Sequence, residues 1–442
     1  MDEEETGKMT TLFGHATAVT MDRKTPVIQD AYVAVEGTKI ASVGTEPPEG
    51  TFDRVVDGAG KVLLPGFVNA HTHLPMTLMR GYGGGCDLHT WLNQYIFPAE
   101  ARLDSRAVAA GAGLGLAEMI ASGVTCVADM YMHTGTIAEQ ILEAGISANL
   151  SCGGVYFGAP EDFSPETCGD CRNQAALTEE WHGAGAGQIL VDASVHGEYT
   201  SNPPLWRWMA EYAAEHRLGM HVHVSETQSE HQASLERWGK TPIQALDGCG
   251  VWDCGRSLAA HCVYTTEEDW ALMAEKGISC VHNPWSNLKL GSGVAPIPAM
   301  MRAGVNVALG TDGMSSHNSA DLFSDIKLAA VLHNGVERDP MAVNAWAALE
   351  MATVNGARAL GRDTGVIAPG KTADLILVDL SAPNLIPCHD PVEDLVFSAH
   401  GSNVEMNMAR GQVIYEKGSF LTLDLERVRW EVEHYALPLI FG

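Results

Sequence analysis

Residues 63–80, LLPGFVNAHTHLPMTLMR, decide how the rest of the chain is read. Pro65-Gly66 is a turn signal, Phe67–His73 reads as a short apolar strand, and His71-Thr72-His73 closes it. Side chains alternate along a strand, so His71 and His73 project the same way from one strand end. Two imidazoles so placed can grip one metal ion, and neutral imidazole suits Zn, Fe, Cu or Ni. On their own, two neighbouring histidines are more often solvated or hydrogen-bonded than ligating. The weight comes from what lies downstream.

From Pro65 onward short apolar strands alternate with helical patterns. The strand candidates are Phe67–His73 and residues 125–130, 147–153, 188–196, 219–225, 257–263, 279–284 and 306–312. Between them, residues 105–122, 205–216, 265–276 and 321–334 carry helical periodicity, and 341–361 reads as one further helix ending at Gly361. Eight β-then-α units in series predict a (β/α)₈ TIM barrel rather than an open sheet. In such a barrel the chemistry sits at the C-terminal strand ends. Those ends carry His71 and His73, His196, His221 and His223 with Glu226 just beyond, His261, His282 and Asn283, and Thr311-Asp312-Gly313. One such histidine is usually a packed one. A histidine or acid at the end of most strands is what a convergent metal site predicts.

The flanks have a different texture. Residues 10–65 are β-branched runs cut by Gly, Pro and Asp, and β texture returns after residue 362. Neither segment suffices for a stable sandwich alone. The expected organisation is therefore a barrel over 66–362 with a flanking β-sandwich, built from 1–65 and from 363–442 with its tail.

Lys+Arg 27 against Asp+Glu 55 gives a net charge of -28. So acidic a surface repels nucleic acid and anionic membranes, leaving a small molecule as the expected partner. The start, MDEEETGKM, is acidic without an apolar core, which is neither signal nor transit peptide. No apolar run approaches the ~20 residues that span a bilayer. A cytoplasmic protein is expected, its ten cysteines mostly acting as small buried hydrophobes. Cys168 and Cys171 form a lone CxxC, read as a loop with two free thiols.

The runs PGFVNAHTHLPMTLMRG, WLNQYIFPAEA, HVHVSET, AAHCV, HNPWSNLKLGSG, LGTDG and GVIAPGKTADLILVDL resemble the amidohydrolase superfamily. Within it they are most similar to the methylthioadenosine/S-adenosylhomocysteine deaminases and their triazine-hydrolase relatives. The resemblance spans about residues 37–416 and implies one divalent metal, most often zinc with iron as the alternative, bound by His71, His73, His223 and Asp312. Spacing leaves His221 and His223 both open as the third imidazole. The family pattern HxHxxET selects His223 and makes His221 structural. No lysine closes the fourth strand, where the two-metal members carry a carbamylated ligand, so one metal is expected. The resemblance further implies Asp312 as base and proton shuttle, Glu226 as the acid that protonates the ring nitrogen beside the attacked carbon, and His261 as the group holding the attacking hydroxide. Homo-oligomers are usual among such relatives.

For the substrate, Glu100 matches the carboxylate that accepts both ribose hydroxyls in the nucleoside deaminases, and His196 a histidine that contacts the purine. Glu226 would touch the same ring. Trp91 reads equally as a pocket wall and as a core aromatic. The departures concern the substrate's far end. Cys152 stands where those enzymes have an arginine, with Arg172 the one nearby substitute, His196 lies in HGEYTS rather than a His-Ala-Pro-Tyr run, and His317 replaces an asparagine. A thiol supplies no bidentate fork for a carboxylate. The expected activity is hydrolytic deamination of a neutral 5'-modified adenosine or related aminated heterocycle. The alternatives are an s-triazine chloro- or aminohydrolase, a guanine-type deaminase, and a catalytically silent scaffold.

Overall fold

The computed structural model describes residues 9–442, so the acidic stretch 1–8 lies outside the described residues. Parallel strands Phe67–His73, Val124–Met130, Ser147–Ser151, Ile189–Gly197, Gly219–Val224, Ser257–His261, Ile278–His282 and Val307–Leu309 follow one another in chain order. The eighth breaks at Gly310-Thr311 and resumes as Asp312–Gly313, which pairs with the first strand and so closes the ring. Asn69 fills the break. Its side-chain nitrogen donates to Thr311 Oγ1 (2.8 Å) and its oxygen accepts the Thr311 N–H (3.0 Å), replacing the missing ladder bonds. Gly66 is needed at the entry to the first strand, since a Cβ there would lie 2.3 Å from the Thr125 methyl.

The helices sit where their end signals place them. Ser105–Ala121 is capped by Asp104, and Glu267–Lys276 opens with a Thr266–Asp269 capping box and stops at Gly277, φ +69°. The helix expected over 341–361 is two, Ala345–Ala352 and Val354–Leu360, divided at Thr353. That residue leaves helical geometry (φ −129°, ψ −92°) while its hydroxyl bonds the Leu349 carbonyl.

The two chain ends combine into one mixed nine-stranded sheet, with Lys61–Pro65 and Leu375–Asp379 antiparallel at its centre. Leu63, Leu375, Leu377, Met406 and Met408 share a core with Phe13, Val33, Val35 and Ile40, so the sheet folds over itself. Val62, Leu64, Ile376 and Val378 face the other way into the barrel's core. Burial on both faces is why these strands read as continuous apolar runs rather than alternating ones. The tail turns helical, from Leu425 to Phe441, and docks on Ser105–Ala121 through Arg106–Glu431 (2.8 Å) and the Arg106 guanidinium over Tyr435 (4.0 Å). Among the described residues no helix is long and apolar enough to cross a membrane.

Candidate active site

At the C-terminal ends of the barrel strands, imidazoles from three strands converge on one carboxylate. Asp312 Oδ1 lies 3.1 Å from His73 Nε2 and 3.4 Å from His71 Nε2, and His223 Nε2 lies 3.3 Å from His73 Nε2. The His71 ring also stands 5.4 Å from that of His261. Each imidazole is held from behind. His73 Nδ1 donates to the Met130 carbonyl (2.5 Å) and His223 Nδ1 to the His196 carbonyl (2.7 Å), which turns both Nε2 atoms toward the common point. His71 Nδ1 meets His221 Nε2 at 2.8 Å, and His221 Nδ1 in turn meets Ser151 at 3.3 Å. His221 thus stands behind His71, not beside it, which separates the two histidines that spacing left open.

A divalent cation fits this donor set. His71 Nε2 is fully buried with no hydrogen-bond partner, a costly state that a metal ion would relieve. Two groupings, His71–His73–His223 and His71–His261–Asp312, have ligand atoms mutually within 4.8 Å. Burial pushes His71 down to about 3 and holds His221 and His223 well below the usual histidine range, so they are neutral, the ligating form. His73, which burial would also lower, is raised to about 9 by Asp312, so this corner demands positive charge. Burial alone would raise Asp312, yet His71 and His73 hold its carboxyl well below the usual range. Its second oxygen, Oδ2, is turned away and accepts Ser286 Oγ (2.6 Å) and Ser316 Oγ (2.9 Å).

Four residues at these strand ends adopt left-handed backbone: Ser225 (φ +50°), His261 (φ +73°), Cys262 (φ +50°) and Asp312 (φ +60°). Such conformations are costly for non-glycine residues and persist where the surroundings over-determine them. Glu226 follows Ser225. It is buried, which raises its pKa, its Oε2 is 3.8 Å from His261 Nε2, and Ser292 donates to its Oε1 (3.2 Å). His261 Nδ1 is held by Asn287 Oδ1 (2.9 Å), which leaves Nε2 toward Glu226.

The other sequence-derived residues divide. His196 is close, its ring 4.7 Å from that of His223 and its Nδ1 bonded to Thr200 (3.1 Å). Glu100 is buried at the end of Phe97–Glu100 and accepts the Tyr131 hydroxyl at 2.6 Å, with the Tyr131 ring 6.3 Å from His73. Trp91 is buried at the end of the short helix Leu88–Trp91, its indole N–H donating to the Tyr82 carbonyl (3.1 Å). His282 turns outward to His333 (3.0 Å) on the helical layer, so this strand-end histidine is structural. Cys152 reaches Gln174 Oε1 (3.4 Å), and Arg172 donates to the Glu166 carbonyl (2.8 Å). Cys168 and Cys171 are buried at the head of the helix Gly169–Trp181 rather than in a loop, and all ten cysteines are free. His317 pairs with Asp325 (2.8 Å). Sequence reasoning missed Tyr131, Ser286, Ser292, Ser316 and Glu230. Nothing in a lone hydroxyl or one more helical glutamate marks it in advance.

The pattern of the amidohydrolase family matches residues 62–414. The chain belongs to the amidohydrolase family. It is 41% identical over 418 residues to the 5-methylthioadenosine/S-adenosylhomocysteine deaminase of Caldanaerobacter subterraneus subsp. tengcongensis, covering 94% of this chain and 95% of that one. It is 39% identical over 426 residues to the 5'-deoxyadenosine deaminase of Methanosarcina mazei, covering 96% and 97%. Among solved structures, an adenosine deaminase from Xanthomonas campestris with bound zinc superposes with a TM-score of 0.91 at 32% identity, covering 98% of each chain. This amidohydrolase chain therefore matches such relatives over nearly its whole length, and the barrel with its flanking β layer is theirs as well.

Proposed function

We propose that this amidohydrolase is a zinc-dependent aminohydrolase that releases ammonia from an adenine nucleoside whose 5' end is neutral. As a family member it is a hydrolase acting on carbon–nitrogen bonds. The observation that carries the finer reading is the pairing of two carboxylates around the imidazole cluster: Glu226 beside His261, and Glu100 beyond Tyr131.

His71, His73, His223 and Asp312 would hold the metal. When bound, a divalent cation lowers the pKa of a water from that of bulk water to ~7, making hydroxide available at neutral pH. Asp312 would accept a proton from the attacking water, its Oδ2 already steadied by two serine hydroxyls. His261 Nε2 points the attacking oxygen at the ring carbon bearing the amino group. Glu226, its pKa raised by burial, carries a proton to the adjacent ring nitrogen and takes up the hydroxyl proton as the tetrahedral carbon collapses to the carbonyl. The proton taken by Asp312 leaves on the ammonia. An ionised Glu100 is an acceptor only, which suits a vicinal diol such as that of ribose.

Neutrality at the 5' end is supported by what surrounds Cys152. The following segment carries Glu161, Asp162, Glu166 and Asp170, and its one arginine, Arg172, is tied to a carbonyl. A substrate carboxylate would meet acids there rather than a guanidinium fork. Ten free cysteines favour a reducing, cytoplasmic setting.

Ammonia release should be measured on 5'-deoxyadenosine, methylthioadenosine, adenosine, adenosylhomocysteine and guanine, with chloride release from an s-triazine beside them. The neutral adenosines should exceed adenosylhomocysteine in kcat/KM by about tenfold or more, the worth of one charge-assisted contact. Preference for adenosylhomocysteine, guanine or the triazine would overturn the proposal.

A further inference from the structure

We infer that the helix Gln228–Trp238 is a strut that fixes the acid Glu226 relative to the His196 wall of the pocket, with Glu230 and Glu198 as the positioning residues at its two ends. The inference rests on the role proposed above for Glu226 and on the purine contact that the family resemblance implies for His196.

At the N-terminal end, Thr227 caps the helix and accepts the Glu230 N–H (3.2 Å). In an ordinary capping box the third helical residue would bond back to the cap's own amide. Glu230 reaches further. Its two oxygens accept the N–H of Ser225 and of Glu226, each at 2.8 Å. Ser225 is the left-handed residue that turns the chain off the fifth strand. The carboxylate therefore holds the strained turn from which Glu226 projects. Glu230 is buried, and both its oxygens are spent on this task.

At the C-terminal end, Arg237 Nη2 lies 3.1 Å from Glu198 Oε2, and the Trp238 indole N–H donates to Glu198 Oε1. The Glu198 side chain is 0% exposed, so its charge is affordable only because both oxygens are met. Glu198 opens the short turn Glu198–Thr200, whose Thr200 hydroxyl bonds His196 Nδ1. Ser201 and Trp206 brace the same turn, Ser201 Oγ donating to the Gly197 carbonyl (2.8 Å) and Trp206 to Ser201 (2.7 Å). Glu198 stands where relatives were expected to carry the proline of a His-Ala-Pro-Tyr run. A proline would stiffen that turn through its own ring, whereas glutamate stiffens it through the helix. One helix thus bonds the backbone of the group that moves the proton and, through Glu198 and the turn that ends at Thr200, reaches the group that faces the ring.

The test compares the metal-loaded parent with Glu230→Gln, Glu198→Gln, Arg237→Gln and Arg237→Lys, with rates normalised to bound metal. Glu230→Gln should lower kcat about tenfold or more with KM within about threefold, because it loosens the acid. Glu198→Gln and Arg237→Gln should instead raise KM about tenfold with kcat nearly kept, and Arg237→Lys should restore KM. Should either glutamate variant fail to fold, the Arg237 pair, on a side chain 41% exposed, carries the test. Amide hydrogen exchange reads the same claim without turnover. Ser225 and Glu226 should exchange about tenfold faster in Glu230→Gln and also faster in Arg237→Gln, at the far end of the helix. Loss of melting temperature with parent kcat and KM per metal site, or faster exchange confined to the mutated end, would overturn the strut. A parent inert on every heterocycle would instead count against the proposed function, and the exchange data would still decide this point.

Discussion

Ser286→Ala probes how Asp312 is divided between its two oxygens. Oδ1 faces the imidazoles while Oδ2 accepts Ser286 at 2.6 Å and Ser316 at 2.9 Å. A hydrogen bond to a charged group contributes about 1.5–3 kcal/mol. Both hydroxyls are buried, so water cannot readily replace a deleted one. Removing Ser286 Oγ leaves Ser316, and the loss should sit near the low end, about 1.5 kcal/mol or roughly tenfold in metal affinity. Ser316 has a single hydroxyl proton, and the Gly313 carbonyl (2.8 Å) competes for it. Ser316→Ala should therefore cost less than Ser286→Ala, and the double variant less than about 3 kcal/mol, under roughly a hundredfold. Zinc affinity is measured by competition against a chelator of known affinity, with melting curves recorded on the same samples to show an intact fold. Parent-like affinity in Ser286→Ala, or a larger loss in Ser316→Ala, would refute the assignment of separate duties to the two oxygens.

Other perturbations address the remaining groups. His71→Ala should abolish stoichiometric metal, while His221→Ala, which acts from behind His71, should weaken metal by only about 10–100-fold; equal losses in a metal assay would make His221 a ligand. Glu226→Gln should retain metal and lose about 10²–10⁴-fold in kcat, read by ammonia release, and a loss below tenfold would remove it as the acid. Tyr131→Phe, which frees Glu100 Oε1, should raise KM for a ribonucleoside more than for its 2'-deoxy counterpart; equal shifts would detach Glu100 from the sugar.

The sequence already displays the barrel because its strands are short apolar runs between capped helices, with ends marked by polar residues. Phe67–His73 and its histidines were legible at once: a strand projects alternate side chains alike, and the ring does the rest. Asp312 was legible as a strand-end acid, but its register depends on the break at Gly310-Thr311 that Asn69 fills, a long-range contact no local pattern records. The same limit hid which of His221 and His223 faces the centre by spacing alone. It also hid the fate of His282, whose outward turn toward His333 depends on a helix some fifty residues on. Hydroxyls such as Ser286 and Tyr131 act only through partners far along the chain, so composition and periodicity are silent on them.

The most direct measurement is a structure of the zinc-loaded protein. It should place one ion with His71, His73 and His223 Nε2 and Asp312 Oδ1 at about 2.0–2.2 Å, with His221 behind His71 and outside that distance. An ion held elsewhere, or bound at this point by His221 in place of His223, would contradict the account.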